Sequence, residues 1–423
     1  MFQVPVEEMV ANRVKAAHYA IRDPAVLNIV KELKAQGRDV IELNIGDPGG
    51  RLGAYGFQTP KHIVDAYVAA LKSGENDGYA TSQGDQFIRK AIAEDSKRRG
   101  IKDADENNVI TGQGVSELIR VIFSTFLQKG RNVVLPRPNY PLYGAMANYF
   151  DGEARFYDLD PENDWATDPQ QIGSLVDEKT ATVVVINPNN PTGSVLDEGQ
   201  LREIIAVVGK KGKNKVPIIA DEIYHEVSRV GDVTAMASLT AEVPIFTFDG
   251  LSKNHYAPGY RMGSVLISNM GHLPAEYLST LKDNMVKQTG FGLSASNPAQ
   301  YAYAAALELR SKNDAVYQEH LKKINERAEY SYNRLKAIPG ISVNMPKGAF
   351  YIFPRLKLEN APWKTDKEFQ LDLLKTTGVL IVPGSGFGMK PEDLFFRIVT
   401  LPTIEVQKQA YDRLEQFVKS KTG

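Results

Sequence analysis

In "PIFTFDGLSKNHYAPGYRMGS" (residues 244–264) a β-type run delivers a single lysine, Lys253, onto a loop rich in Gly and Pro, and Arg261 follows eight residues later. Two other strand-like runs end in chemically loaded positions. "ATVVVIN" (181–187) passes into Pro188-Asn189-Asn190-Pro191-Thr192-Gly193, and "VPIIAD" (216–221) ends in Asp221, with Tyr224 shortly after. A lysine amine deprotonated by burial or by a neighbouring cation is a nucleophile that forms Schiff bases with aldehydes. Pyridoxal phosphate is the common biological aldehyde for that role. Its ring nitrogen calls for a carboxylate such as Asp221, and its phenolate oxygen for donors such as Asn190 and Tyr224. Its phosphate calls for N–H groups at a helix start, a hydroxyl and a cation. "VITGQGVSELIRVIF" (109–123) offers such a start at Gly114, Val115 and Ser116.

Each feature also has a plainer explanation. Asn and Pro form turns, Asp221 can cap a helix, and a loop lysine is ordinarily a solvated charge. "GQGVSE" is only part of a G-x-G-x-x-G pattern, which an ordinary strand–turn–helix junction also shows. Taken together, the plain explanations require three coincidences at successive strand ends. In an open α/β sheet ligands bind at the carboxyl ends of strands, so the joint reading is a single crevice.

The elements that must position these residues alternate. Buried strand runs at 132–136, 181–187, 216–221 and 244–249 are separated by helical stretches such as "DEGQLREIIAVVGKKG" (197–212). The pattern predicts an α/β fold with a mostly parallel central sheet covered by helices on both faces. A long charged helix is expected over 302–338, followed by strand-like pieces "ISVNMP", "AFYIFP", "GVLIVPG" and "FFRIVTL" and a last helix. That part reads as a smaller α+β domain. The expected division is an N-terminal segment, 1–50, packing with the small domain; a large cofactor-binding domain, 51–300; and a small C-terminal domain, 301–423.

Composition narrows the classes. Lysine plus arginine total 50 against 51 acidic residues, so no net basic field draws nucleic acid or anionic lipid. The absence of cysteine removes disulfides, thiolate metal sites and cysteine nucleophiles. The six histidines are scattered, and no metal site is expected. The N-terminus lacks the pattern of a signal peptide and no apolar run approaches a membrane span, so the expected location is cytoplasmic.

With these residues assembled, the sequence resembles the fold-type I pyridoxal-phosphate aminotransferases of class I/II. The resemblance runs through "LNIGDP", "GYATSQGDQFIRKAI", "GQGVSE", "PRPNYPLY", "NPNNPTG", "DEIYHEV", "SKNHYAPGYRMG", "PKGAFYIFP" and "FRIVTLP", in the family's order. "HYAIRD", "ELNIGDP", "APGYRMG" and the segment 361–388 are similar to the alanine aminotransferase subgroup, especially its prokaryotic members. It implies an aspartate-aminotransferase-like fold and transfer of an amino group between L-alanine or glutamate and 2-oxoglutarate or pyruvate. It also implies roles. Lys253 carries the cofactor and acts as base, Arg261 reaches the phosphate with Gly114, Val115, Ser116 and Ser252, and Asp221 faces the ring nitrogen. Asn190 and Tyr224 bond the phenolate oxygen, and Tyr140 stacks on the ring. Tyr79 crosses to the neighbouring subunit's phosphate, so a homodimer is implied. Arg397 takes the substrate α-carboxylate, Gly46 offers a backbone N–H and room, and Tyr19 and Arg22 approach from the N-terminal segment.

Two departures from the family pattern matter. Gly292 stands where aspartate-type members carry a side-chain-binding arginine, which argues against a dicarboxylate specialist and leaves the site for glutamate's second carboxylate unassigned. Gly250 stands where many members have a phosphate-binding serine. The rival readings are an aminotransferase of broad aromatic or branched-chain range, a β-eliminating lyase, and a non-catalytic cofactor-binding regulator. A Rossmann dehydrogenase fails because "GQGVSE" lacks the third glycine.

Overall fold

The computed structural model describes residues 9–15, 20–50, 53–213, 215–309, 314–358 and 361–422. Its centre is an eight-stranded sheet. The strands, in chain order, are β2 (Val109–Gly112), β3 (Asn132–Arg137), β4 (Glu153–Asp160), β5 (Ala166–Thr167), β6 (Thr180–Ile186), β7 (Ile218–Asp221), β8 (Ile245–Gly250) and β9 (Gly263–Ser268), after a short β1 (Ile41–Glu42) outside the sheet. The spatial order is β2-β9-β8-β7-β6-β3-β4-β5. The pairs β8–β7, β7–β6, β6–β3 and β3–β4 are parallel, and β9 runs against both of its neighbours.

The four strands read from sequence form here as expected, because each is a β-branched or apolar run buried on both faces. Alternate residues serve opposite faces. Val183, Val185, Ile218 and Ile245 join one core, packed with Leu201, Ile204 and Val208 of the helix Glu198–Gly212. Val184, Ile186, Ile219 and Phe246 join the other, packed with Leu118, Ile122 and Phe123 of the helix Val115–Phe126. Each of these fully buried side chains contributes about 1.5–3 kcal/mol by leaving water. The helix Glu198–Gly212 starts with a capping box between Asp197 and Gln200.

The remaining strands are short: β10 (Ile341–Ser342) pairs with β12 (Arg355–Leu356), and β15 (Phe396–Val399) lies between β11 (Tyr351–Ile352) and β14 (Val382–Pro383). β1 pairs in parallel with β13 (Val379–Leu380), and Val26, Val30 and Leu33 of the helix Pro24–Ala35 pack with Leu374 and Leu380. The single helix expected over 302–338 is instead two, Asn297–Glu308 and Ala315–Lys336. The sequence between Leu309 and Ala315 is wholly polar, and Asp314 takes a β-type backbone while its carboxylate accepts from the N–H groups of Val316 and Tyr317. That side chain starts a new helix where the charged stretch read as continuous.

Candidate active site

The carboxyl ends of β6, β7 and β8 open onto a cavity of about 570 Å³. Lys253 and Ser252 reach it from the turn after β8, Asp221 and Tyr224 from the end of β7, and Asn190 from the loop after β6. Val115 and Ser116 start their helix on its wall, and Tyr140 ends the loop before the helix Pro141–Tyr149. Arg261, Gly46, Arg22 and, from β15, Arg397 complete it. Residues far apart in sequence converge because parallel strands place all their C-termini at one sheet edge.

Lys253 Nζ donates to the Gly46 carbonyl. Burial pushes this amine down to about 8; Asp47 opposes the shift, while Arg397, Arg261 and Arg22 add to it. Asp221 is buried at 4% exposure, and burial pushes its carboxyl up to about 6 against the Tyr143 hydroxyl, which donates to Oδ2 at 2.7 Å. The Ile223 N–H reaches Oδ1 at only 3.4 Å. Arg397 is buried at 1% exposure, donates from Nη1 to Asn190 Oδ1 at 3.0 Å and from Nη2 to the Asn44 carbonyl, and lies between the rings of Tyr351 and Phe387 at 4.5 and 4.8 Å.

The helix Val115–Phe126 has no side-chain cap, so its first N–H groups remain for a ligand. Its N-cap, Gly114, has φ +80°, and a Cβ there would stand 2.6 Å from Arg261 Nη2. Arg261 is held over this helix start by the carbonyls of Pro258 and Gln113, at 2.8 and 3.1 Å. At Gly250 a side chain has no room: its Cβ would meet the Met262 carbonyl at 2.6 Å, because Gly250 pairs with Gly263 across β8–β9. A serine at this position, which the resemblance would lead one to expect, finds no room in this strand packing.

Four cationic side chains and two carboxylates line the cavity. That balance suits a ligand carrying several negative charges. The donor set fits pyridoxal phosphate: an open helix start with an arginine above it, a buried carboxylate short of a cation, and a lysine amine pushed towards its neutral form. Among the described residues there is no cluster of three His, Cys, Asp or Glu side chains that could hold a metal ion, and no helix is long and apolar enough to cross a membrane.

Tyr79 is not brought to the cavity; it sits 82% exposed after the helix Lys61–Lys72. Tyr19 lies outside the described residues. At Gly46, the space a Cβ would take is filled by the Tyr351 hydroxyl. Sequence reasoning missed Tyr143, Tyr351 and Asp47. Both tyrosines fall inside quoted motifs, yet a tyrosine whose hydroxyl serves the site reads the same in sequence as one that fills a core.

The pattern of the family aminotransferase class I and II matches residues 38–414. The chain is 33% identical to the glutamate-pyruvate aminotransferase AlaA of Haemophilus influenzae over 402 residues, 95% of each chain. It is 32% identical to the tyrosine aminotransferase of Mus musculus over 397 residues, 93% of this chain and 84% of that one. Among solved structures, the alanine aminotransferase from Pyrococcus furiosus superposes with a TM-score of 0.89 at 37% identity, covering 97% of this chain and 100% of the other.

Proposed function

The chain belongs to the class I and II aminotransferase family, and on that premise we propose that it is a pyridoxal-phosphate-dependent alanine aminotransferase, exchanging the amino group between L-alanine and 2-oxoglutarate in a ping-pong order. The observation that carries this reading is the meeting of Lys253, Asp221 and Arg397 around one cavity whose wall includes an uncapped helix start. The similarity to alanine and glutamate-pyruvate aminotransferases supports the substrate pair.

In this reading Lys253 anchors the cofactor, Asp221 faces its ring nitrogen, Asn190 and Tyr224 its phenolate oxygen, and Tyr140 its ring. Gly114, Val115, Ser116, Ser252 and Arg261 would hold the phosphate. When bound, the cofactor supplies an electron sink for the pair released from the substrate Cα–H bond. Arg397, oriented by Asn190 and held between two rings, fixes the α-carboxylate and so aims the Cα–H bond. Lys253 Nζ would take the Cα proton as base and, as acid, hand it to the cofactor's aldehyde carbon within the same half-reaction, the second half-reaction running the transfer the other way; an amine at about 8 suits both duties near neutral pH. Arg22 is the lining cation left for the second carboxylate of glutamate, a task that Gly292 does not perform. Tyr19 belongs to the same N-terminal approach.

The same reading includes a homodimer with Tyr79 contributed across the interface, cytoplasmic residence, and a division into 1–50, 51–300 and 301–423. The pairing of β1 with β13 supports the association of the first segment with the last domain.

The similarity to a tyrosine aminotransferase favours one second reading, a broader aromatic specificity. Visible absorbance of the purified, reconstituted protein separates the cases. A yellow band that bleaches with L-alanine and returns with pyruvate or 2-oxoglutarate supports alanine transamination. A band that answers only to tyrosine or phenylalanine selects the second reading, ammonia release marks a lyase, and no band in the reconstituted protein removes the assignment altogether.

A further inference from the structure

Tyr351 is buried at 2% exposure on β11, at the meeting of two parts of the site. Its ring lies 4.5 Å from the Arg397 guanidinium, carried by the neighbouring strand β15, and its hydroxyl is 2.8 Å from that of Tyr224, which follows β7 of the large sheet. The same hydroxyl fills the space beside the Gly46 Cα, so the phenol is held on that side as well.

Each phenol has one proton, so only one of the two donates in this hydrogen bond. Of two phenols that share a bond, the more acidic donates. Burial lifts both. At Tyr351 the Arg397 charge is the largest influence the other way; at Tyr224 the Asp221 charge adds to the lift and outweighs Arg397. Asp221, Arg397 and Tyr140 act on the pair, and Lys253, Asp47, Arg22 and Arg261 line the same cavity. The charge pattern therefore makes Tyr351 the donor and Tyr224 the acceptor. The Tyr224 proton is left to point into the cavity.

We propose that Tyr351 is a positioning residue that turns the Tyr224 proton towards the cavity and, by stacking, keeps the Arg397 guanidinium in place for a carboxylate. One side chain thereby sets both the donor to the cofactor's phenolate oxygen and the cation that binds the substrate. This rests on the pyridoxal-phosphate reading above.

The test compares Tyr351→Phe and Tyr351→Leu with the wild-type holoenzyme by titrating the visible band with pH and by separating KM from kcat for L-alanine. A donor to the phenolate oxygen stabilises its charge and lowers the proton affinity of the conjugated nitrogen, so weakening that donor raises the midpoint. Tyr351→Phe keeps the ring and loses the hydroxyl: the midpoint rises by about half a unit while KM stays within about twofold, since the stacking is intact. Tyr351→Leu loses both, and KM for L-alanine rises about tenfold in addition to the midpoint shift. An unmoved midpoint in Tyr351→Phe, or an unchanged KM in Tyr351→Leu, overturns the inference while the wild-type band leaves the cofactor reading standing. A wild-type protein with no band removes the cofactor reading, and this inference with it.

Discussion

Asp221 illustrates the cost of a preorganised site. Its carboxylate has one phenol donor and one long backbone contact inside a buried wall, and burial lifts it from 3.8 to about 6. The unfolded chain loses this proton near 3.8, whereas the folded chain keeps it until about 6. Folding therefore takes up a proton between those values, and the penalty grows as pH rises through the window and is complete above it. The full penalty amounts to at most about 3 kcal/mol. In the cofactor-free protein, Asp221→Asn is expected to melt above wild type at pH 8 and to lose about half of that advantage at pH 5, while the reconstituted variant loses at least about a hundredfold in transamination. Calorimetry at the two pH values checks the first half and a coupled assay the second; an Asn variant that melts lower at pH 8 would falsify the account of an uncompensated carboxylate.

The helix Val115–Phe126 shows how an element serves both packing and chemistry. Its apolar face, from Leu118 to Phe123, is buried in one sheet core and anchors the helix, while its uncapped start faces the cavity. Gly114 is required there twice over, for its φ of +80° and for the approach of Arg261. Gly114→Ala forces the guanidinium away from the helix start and strains the backbone by about 1–2 kcal/mol. Cofactor affinity in this variant is expected to fall at least about tenfold, with a smaller change in kcat at saturating cofactor, because the substrate arginine is carried by a different strand. Fluorescence titration with pyridoxal phosphate measures the first; equal affinity would mean that the phosphate does not sit over this helix.

At the scale of the molecule, Tyr79, which the family resemblance assigns to the site, does not reach the cavity. Tyr79, Phe291 and Leu293 are 82%, 74% and 51% exposed, and their two loops are tied together by the Ser82 hydroxyl donating to the Leu293 carbonyl at 2.7 Å. A patch of large apolar side chains on adjoining loops is the kind of surface that association covers. Sedimentation is expected to give twice the chain mass, and Tyr79→Phe to weaken cofactor binding several-fold while leaving that mass unchanged. A fully active monomer would remove the two-chain site from the proposal.

Local pattern determined four of the eight sheet strands (β3, β6, β7 and β8), the helix Glu198–Gly212 and the strand-end loops, because their information lies within a few residues: periodicity, a capping box, a turn-forming run. The family motifs determined the aminotransferase assignment for the same reason. Local pattern was misread at 302–338, where a polar run, 310–314, separates two helices and the carboxylate of Asp314 starts the second. What only the tertiary structure decided is contact across sequence distance. The Tyr143 hydroxyl meets Asp221, the Tyr351 hydroxyl meets Tyr224, and Gly250 faces Gly263 with no room for a side chain. Those meetings depend on which strand ends the sheet places side by side, and on how β11 and β15 close over them, so neither composition nor spacing carries them.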